Sequence, residues 1–493
     1  MKTRPLAFFL SMVFAASSVL TAPMPALAAI ELPDLGDVAT DELSPLQENK
    51  IGEEIMQEIR RDPAWLDDAL VEEYLNQLGH RLVTVSRDPL RAFEFFVVKD
   101  STLNAFALPG GYVGVHTGLL LAAESESELA GVLGHEIAHV TQRHIAQIVG
   151  KQSQSMMLML ASLLVAALAA RNNPQVTEAA LAAGQAGAIQ SQLGYTRDFE
   201  READRVGVQT LEAAGFDVRG MSSFFERLQR ESRLYENKAP AYLRTHPLTT
   251  ERIADIENRV AAMRYRQVPD SVEFGLVRAR LRVQSMAAVE ALRMYTTLVD
   301  KHPNDLPSHY GLVLARSRLG RMNEAGQGVE DLRQRFATPS PFVELLAAEI
   351  ALGQRDGQGA VKTLEAASRQ FPRSMSVTYA LADARIAAGE PGAAAESLRQ
   401  ALNGRSGDIR LWRLLARAQA MQGKRSGQHR AQAEVYMLQG SYPAALEQLE
   451  LARKAGDGDF YELSATDARL REVRERVREL RREQRNDEQR DGR

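Results

Sequence analysis

Four regularly spaced glycines in the second half of the chain constrain its fold more than any other feature. They are separated by 33, 36 and 34 residues, and each follows a run with helical periodicity, such as YGLVLARSRLG. These glycines are Gly320, Gly353, Gly389 and Gly423. A unit of about 34 residues holds two helices that bury their apolar faces by stacking on neighbouring units. The second half is therefore predicted to be all helical.

Small residues after the turn, at Ala360 and Ala394, and prolines at Pro303 and Pro372 are typical of tetratricopeptide repeats. We predict an all-α solenoid over 270–455, irregular near Gly440, which follows the preceding marker by 17 residues. A helical bundle without repeats is the alternative. Residues 456–493 are charge-dense and are predicted to be a tail.

The N-terminus has the order of a secretory signal peptide. Lys2 and Arg4 precede an apolar stretch, and Ala26 and Ala28 form an A-x-A site, so we expect cleavage after residue 28 and a periplasmic protein. An uncleaved anchor is the alternative. The 493 residues include no cysteine, so stability must come from packing. A formal net charge of −4 argues against nucleic-acid binding.

Residues 29–265 are predicted to form an α+β domain, mostly helical with a small sheet. Residues 91–99 (RAFEFFVVK) alternate as a strand does, and NAFALPGGYVGVHTGLL reads as strand, tight turn and strand. Residues 156–170 (MMLMLASLLVAALAA) are apolar throughout but shorter than the roughly 20 residues that span a bilayer. We expect this segment to be buried, with peripheral membrane contact as the alternative.

The stretch LGHEIAHVTQRH lies in a predicted helix that runs from Ser125 or Ser127 to about Gly150. His135 and His139 are four residues apart, about 40° around a helix, so both can bind one zinc ion. Glu136 lies roughly 100° from His135, where it can take a proton from a water activated by the metal. His144 lies about 180° from His135 and is predicted to be a surface or second-layer residue.

A catalytic zinc site needs a third protein ligand. The metzincin pattern is excluded because Gln142 and Ile145 stand where it requires a glycine and a histidine. An acid on a later helix is expected instead. Glu200 and Asp204 are four residues apart, so one can bind zinc while the other accepts an N–H from a ligand histidine. A solvated acidic start of a helix is the alternative.

The chain resembles the integral or exported HExxH metallopeptidases that include the CAAX prenyl endoprotease. The resemblance rests on HEIAH, on E-x-E-A-D at residues 200–204, on NAFALPGG and on THPLTTERI. The resemblance implies that His135, His139 and Glu200 bind one Zn²⁺, that Glu136 is the general base, and that Asp204 supports a ligand. With the signal peptide and the repeats, it implies unfolded or stalled outer-membrane β-barrel proteins and their assembly machinery as partners.

Two further segments are candidates for the site. His246 precedes a proline and is expected either to stabilise the oxyanion or to occupy the fourth zinc position as a latch, with Arg252 as a nearby helper. Asn104, Ala105 and Phe106 are predicted to lie in an edge strand that holds an extended substrate, a plain hairpin being the alternative.

Two functions follow from these predictions. The first is a periplasmic zinc endopeptidase whose repeats recruit substrate or assembly machinery. The second is a chaperone or docking module whose metal site is latched or mainly structural.

Overall fold

The computed structural model describes residues 43–149, 197–234 and 241–491. The predicted signal peptide and residues 156–170 lie outside these ranges, so the interpretations of both segments stay predictions. Within the described ranges, no helix is both long enough and apolar enough to cross a membrane.

The first half combines helices with one small sheet, which confirms the predicted α+β class. Its described helices are α1 (Pro45–Ile59), α2 (Ala69–Val83), α3 (Thr117–Ala122), α4 (Glu126–Thr141), α5 (His144–Val149), α6 (Arg197–Ala213), α7 (Arg219–Leu234), α8 (Ala241–Thr245) and α9 (Thr250–Ala262). Its strands are β1 (Glu94–Val98), β2 (Ala105–Leu108) and β3 (Tyr112–His116).

The sheet has the order β1-β3-β2, with β1 parallel and β2 antiparallel to β3. A short 3₁₀ turn joins β2 to β3, and Gly110 and Gly111 adopt φ values of 82° and 90° there. Side chains other than glycine rarely adopt these angles, which explains the Pro-Gly-Gly sequence at the turn. β2 is thus an edge strand, as its residues predicted.

Helix α4 is buried on all sides, because every residue from Glu126 to Val140 is buried. Ser125 caps it by accepting a hydrogen bond from the Glu128 N–H. The helix packs between the sheet, α2, α6 and α7. A buried polar side chain needs a partner, so the histidines and glutamate of this helix cannot be ordinary surface residues.

The prediction of one helix running to Gly150 is wrong, because α4 ends at Thr141. Arg143 adopts a left-handed φ of 55°, and a new helix, α5, begins at His144. The Arg143 guanidinium donates to the buried carboxylate of Glu48 on α1, with an Nε–Oε1 distance of 3.0 Å. This ion pair offsets the roughly 1–2 kcal/mol cost of the left-handed backbone.

The second half is an all-helical array of antiparallel neighbours, as predicted. Its helices are α10 (Val272–Ser285), α11 (Ala288–Lys301), α12 (Leu306–Arg318), α13 (Met322–Arg335), α14 (Pro341–Gly353), α15 (Gly357–Gln370), α16 (Met375–Ala387), α17 (Pro391–Leu402), α18 (Ile409–Met421), α19 (Arg425–Leu438), α20 (Tyr442–Lys454) and α21 (Phe460–Asp491).

Left-handed residues mark the turns between paired helices more regularly than the glycines of the sequence do. Gly320, Gly389 and Gly423 have φ values of 73°, 81° and 72°, whereas Gly353 is still helical and Arg355 takes the left-handed position with a φ of 64°. Counted on these residues, the spacings become 35, 34 and 34. The repeat is therefore more uniform than its glycines indicate.

The charged segment 456–493 includes a helix that packs on the solenoid. Leu470, Val473 and Val477 on α21 are buried against α20 and its neighbours. These three side chains lie at helical spacing on one face of α21. Their burial against the preceding helices adds α21 to the helical array.

The two halves are joined by a pair of helix N-termini that cap one another. The Asp270 carboxylate accepts the Glu126 N–H of α4 at 2.7 Å, and the Glu126 carboxylate accepts the Ser271 N–H at the start of α10 at 3.1 Å. Tyr74 also donates to Glu126, at 2.9 Å. The start of the motif-bearing helix is thus bonded directly to the first helix of the solenoid.

Further along, the solenoid contacts α2. Ser376 N–H donates to Glu73 at 3.0 Å, and Arg410 donates to Glu72 at 2.8 Å. Arg280 reaches Asp68, the N-cap of α2, at 2.6 Å. The solenoid therefore packs against α2 and, through α10, against α3.

Candidate metal centre

Helix α4 supplies three adjacent polar groups. The side chains of His135, Glu136 and His139 are fully buried. The Nε2 atoms of the two histidines lie 3.0 Å apart, since residues at i and i+4 share one face. The sequence-based placement of both histidines on one side of a helix is thus what the structure shows.

Helix α6 supplies two carboxylates opposite them. Glu200 Oε2 lies 3.5 Å from His135 Nε2, and Glu200 Oε1 lies 3.5 Å from His139 Nε2. Asp204, one turn later, lies on the far side of the first histidine, with Oδ1 3.0 Å from His135 Nδ1. The structure therefore places Glu200 toward the converging nitrogens and Asp204 behind them, as predicted.

His246 completes the cluster from the end of α8. Its Nδ1 lies 3.3 Å from His135 Nε2 and 3.0 Å from Glu200 Oε1. One ligand atom from each of His135, His139, Glu200 and His246 falls within 4.8 Å of all the others. The other ring nitrogen, Nε2, lies 3.6 Å from Glu136 Oε1. His246 therefore faces the ligand cluster and the predicted base at the same time.

Glu136 lies beside the cluster without joining it. Among the described residues, neither of its carboxylate oxygens has a hydrogen bond of normal geometry. Burial raises the pKa of Glu136, while the charges of His246 and His135 and the Ala107 backbone amide oppose the shift. Such a carboxyl binds a proton more readily than an exposed glutamate does.

The two ligand histidines have opposite electrostatic surroundings. Burial alone would lower the pKa of His135, but the neighbouring Asp204 and Glu200 outweigh it and raise that pKa to about 9. Burial, followed by the positive charge of His135, lowers the pKa of His139 well below its ordinary range. The cluster therefore favours one positive charge at its centre and disfavours a second protonated histidine.

Arg252 holds the carboxylates in place. It donates to both oxygens of Asp204 at 2.7 Å, and its NH1 lies 2.7 Å from Glu200 Oε2. Burial would raise the pKa of Asp204, but the bonds from Arg252 and His135 hold it below its usual value. The weaker sequence-based expectation, that Arg252 lies near the site, agrees with this geometry.

His144 is buried, so the surface half of its prediction is wrong and the second-layer half is right. Its Nδ1 lies 2.9 Å from His139 Nδ1, and its ring stacks on Phe199 with the centroids 4.5 Å apart. The break at Arg143 turns this histidine back toward the cluster. Glu202 is not part of the ligand cluster and lies near His144.

Tyr242 is a site residue that the sequence reasoning missed. Its ring stacks on His246 with the centroids 4.7 Å apart, and its N–H donates to the Leu103 carbonyl at 3.0 Å. Its hydroxyl is buried without a hydrogen-bond partner among the described residues. The spacing of four residues before His246 was the available signal, since such pairs share a helix face.

The predicted substrate strand lies next to α4. The His116 N–H donates to the Asn104 carbonyl, so in this antiparallel register the amides of Ala105 and Ala107 point to the open edge. Phe106 packs against Phe96 and His116 instead. The Asn104 side-chain oxygen is buried without a partner among the described residues. The backbone groups of Ala105 and Ala107 therefore point away from β3, in the strand that packs on α4.

Close packing of α4 on α6 brings the two sets of ligands together. A Cβ atom on Gly207 would lie 3.0 Å from the His135 backbone nitrogen and 2.9 Å from the Met221 methyl carbon. Gly134 faces the same contact, since a Cβ atom added there would lie 3.2 Å from the Gly207 carbonyl oxygen. The two glycines thus permit a helix separation that larger residues exclude.

We expect Gly207→Val to destabilise the fold by about 1–3 kcal/mol through overpacking, and to weaken metal binding because the two ligand-bearing helices move apart. Thermal unfolding and metal titration measure the two effects. Gly326→Val is the matched control, since a Cβ there meets its nearest atom at an ordinary 3.7 Å. Equal metal affinity in Gly207→Val and wild type would contradict the role of this close contact.

The donor set fits a divalent transition metal. Imidazole nitrogens and a carboxylate are the ligands such ions prefer, and the buried carboxylates supply charge that a cation would balance. The outer nitrogens of His135 and His139 face Asp204 and His144, an arrangement typical of metal-ligating histidines. The fold and this site define a metalloendopeptidase.

Comparison with known proteins agrees with this class. Residues 69–260 match Peptidase family M48, and residues 351–425 match a tetratricopeptide repeat. The β-barrel assembly-enhancing protease of Escherichia coli (strain K12) is 32% identical over 467 residues, which cover 92% of this chain and 93% of that protein. The chain belongs to the family of β-barrel assembly-enhancing proteases.

Two further relatives cover less of the chain. A putative β-barrel assembly-enhancing protease of Vibrio cholerae is 43% identical over 271 residues, covering 54% of this chain and 56% of the relative. The mitochondrial metalloendopeptidase OMA1 of Schizosaccharomyces pombe is 33% identical over 186 residues, covering 37% of this chain and 51% of the relative.

Proposed function

We propose that this chain is a zinc-dependent endopeptidase of the periplasm that acts on outer-membrane β-barrel proteins during their assembly and quality control. The observation that carries the proposal is the buried convergence of His135, His139 and Glu200 beside Glu136. The names of the relatives and the predicted signal peptide support the substrate class and the compartment.

The metal ligands are His135, His139 and Glu200. Bound zinc supplies a Lewis acid that polarises the scissile carbonyl and activates water at neutral pH. Asp204 orients the His135 ring through Nδ1, and Arg252 bridges the carboxylates of Glu200 and Asp204. These contacts leave the Nε2 atoms of both histidines directed at the same point.

Glu136 is the general base. Its carboxylate accepts a proton from the attacking water and delivers that proton to the leaving amide nitrogen. Burial raises the pKa of Glu136. A raised pKa suits both proton transfers, because the carboxylate takes the proton from water more readily and can hold it until the leaving nitrogen accepts it.

His246 acts as a latch in this conformation. Its Nδ1 faces the ligand cluster while its Nε2 faces Glu136, so one imidazole blocks the fourth ligand position and contacts the base. Displacement of His246 by substrate would free both. A histidine that stabilised an oxyanion would instead be expected to leave the fourth position open.

The substrate is held in an extended conformation along β2. The outward backbone groups of Ala105 and Ala107 can pair with a substrate strand, while Asn104 and Phe106 pair with β3. The repeats recruit unfolded or stalled β-barrel proteins or their assembly machinery.

A chaperone or docking function is the second candidate, and one observation favours it. His246 contributes a fourth ligand atom to the cluster, where it would compete with a water or a substrate carbonyl for the metal. In this function the repeats bind partners and the metal mainly stabilises the fold. The two candidates are separated by variants that abolish catalysis without disturbing the metal.

Metal removal tests the proposed site directly. We expect freshly purified mature protein to hold one zinc ion per chain, and a strong chelator to abolish casein cleavage and lower the melting temperature, because ligand binding stabilises only the folded state. Added zinc should restore both. Mass spectrometry of metal content, proteolysis and thermal unfolding give the three readings. Protein purified without chelators that contains no zinc would overturn the proposal.

A further inference from the structure

The inference concerns His144, which lies directly behind the ligand His139. The two Nδ1 atoms are 2.9 Å apart, while His139 Nε2 faces His135 and Glu200 on its other side. His144 is fully buried, and its ring stacks on Phe199 at an interplanar angle of 17°. Its Nε2 lies 3.6 Å from Glu202 Oε2.

The proton positions follow from the role of His139. A histidine that binds metal through Nε2 keeps its proton on Nδ1, so His139 Nδ1 must donate. His144 Nδ1 must then accept, which places the His144 proton on Nε2, facing the Glu202 carboxylate. Glu202 Oε2 lies 3.6 Å from this nitrogen, just beyond hydrogen-bond distance, on a side chain that is 35% exposed, so its negative charge favours a proton there.

We propose that His144 is a positioning residue for the metal: its Nδ1 accepts the His139 N–H and holds the His139 ring with Nε2 directed at the ion, while Glu202 holds His144 in the accepting tautomer. The inference rests on the proposed zinc site.

The backbone break at Arg143 makes this contact. In an unbroken helix, His144 would lie about 140° around the axis from His139 and point elsewhere. The left-handed φ of 55° at Arg143, held by the ion pair to Glu48, turns His144 back onto the outer nitrogen of His139. The strained backbone at Arg143 thus has a role, because it lets His144 support the ligand His139.

Charge explains why a histidine takes this position. His135 is supported by a carboxylate, Asp204, whose charge Arg252 balances. The proposed site brings together the carboxylates of Glu136, Glu200 and Asp204 and the Arg252 guanidinium, whose formal charge of −2 a divalent cation would balance. A second supporting carboxylate would leave an excess buried negative charge. A neutral imidazole supplies the hydrogen-bond acceptor for His139 without adding that negative charge.

Three substitutions of His144 separate positioning from packing. His144→Asn places an acceptor oxygen where Nδ1 lies, His144→Gln places one where Nε2 lies, and His144→Phe keeps the ring that stacks on Phe199. The measurements are the zinc dissociation constant, by competition with a chromophoric chelator, and the melting temperature of the metal-free protein. His139→Ala, which removes the ligand itself, tests the zinc site separately.

We expect His144→Phe and His144→Gln to weaken zinc binding by about 10- to 100-fold, and His144→Asn to stay within about threefold of wild type. The metal-free melting temperature of His144→Phe should stay near that of wild type. Zinc binding by His144→Phe as tight as wild type, or His144→Asn as weak as His144→Gln, would overturn the inference. Should the Phe variant fail to fold, the comparison of Asn with Gln decides.

Discussion

Glu136→Gln is expected to reduce proteolysis by on the order of 10²- to 10⁴-fold while the protein keeps its zinc and its fold. The amide has the shape of the carboxylate but cannot accept the proton of the attacking water. Because Glu136 is buried without a hydrogen bond of normal geometry among the described residues, loss of its charge should not destabilise the protein. Casein cleavage, zinc content and melting temperature measure the three properties.

Glu212→Gln is the matched control, since Glu212 is an exposed residue of α6 outside the cluster. It should cleave as wild type does. Cleavage by Glu136→Gln at the rate of wild type would remove Glu136 from the mechanism. If Glu136→Gln keeps the full cellular function while variants on the solenoid surface lose it, the chaperone or docking function is supported over the endopeptidase.

His246→Ala is expected to increase proteolysis. If the latched conformation holds about nine molecules in ten, its removal raises activity about tenfold. The three remaining ligands still hold zinc, although with lower affinity, and Glu136 loses the imidazole that faces it at 3.6 Å. Initial rates at saturating zinc, with zinc content measured in the same samples, test this expectation.

His302→Ala is the control for this variant, because His302 is exposed in the solenoid. A zinc-loaded but inactive His246→Ala would assign the histidine to stabilisation of the transition state. Loss of zinc from His246→Ala at saturating metal would show instead that His246 is needed as a ligand. Tyr242 stacks on the His246 ring and would hold that ring in place in either role. The measured rate therefore decides between the two roles.

Much of the site could be predicted because its parts are local. His135, Glu136 and His139 are related by helical geometry alone, and the helix that carries them has a capping serine and an acidic first turn. The repeat is local in the same sense, since each helix pair is one unit of sequence. The edge strand was predictable from alternation and from Pro-Gly-Gly at its end.

Other features required the packed molecule. The choice between Glu200 and Asp204 as ligand had to rest on a resemblance, because two acids four residues apart on a helix are equivalent in sequence. The structure separates them: Glu200 faces the Nε2 atoms, and Asp204 faces His135 Nδ1 and Arg252. Which acid faces inward depends on how α6 lies against α4, and Gly134 and Gly207 set that contact.

The sequence by itself determined the helix-borne HEIAH motif, the edge strand and the period of the solenoid, since each depends on interactions between residues near one another in the chain. Tertiary structure alone decided where His144 and His246 lie. The first depends on Arg143 leaving the helix for an ion pair with Glu48, 95 residues earlier, and the second on a segment 111 residues after His135. Contacts over such separations are set by the energy of the whole packed core, which local periodicity does not report.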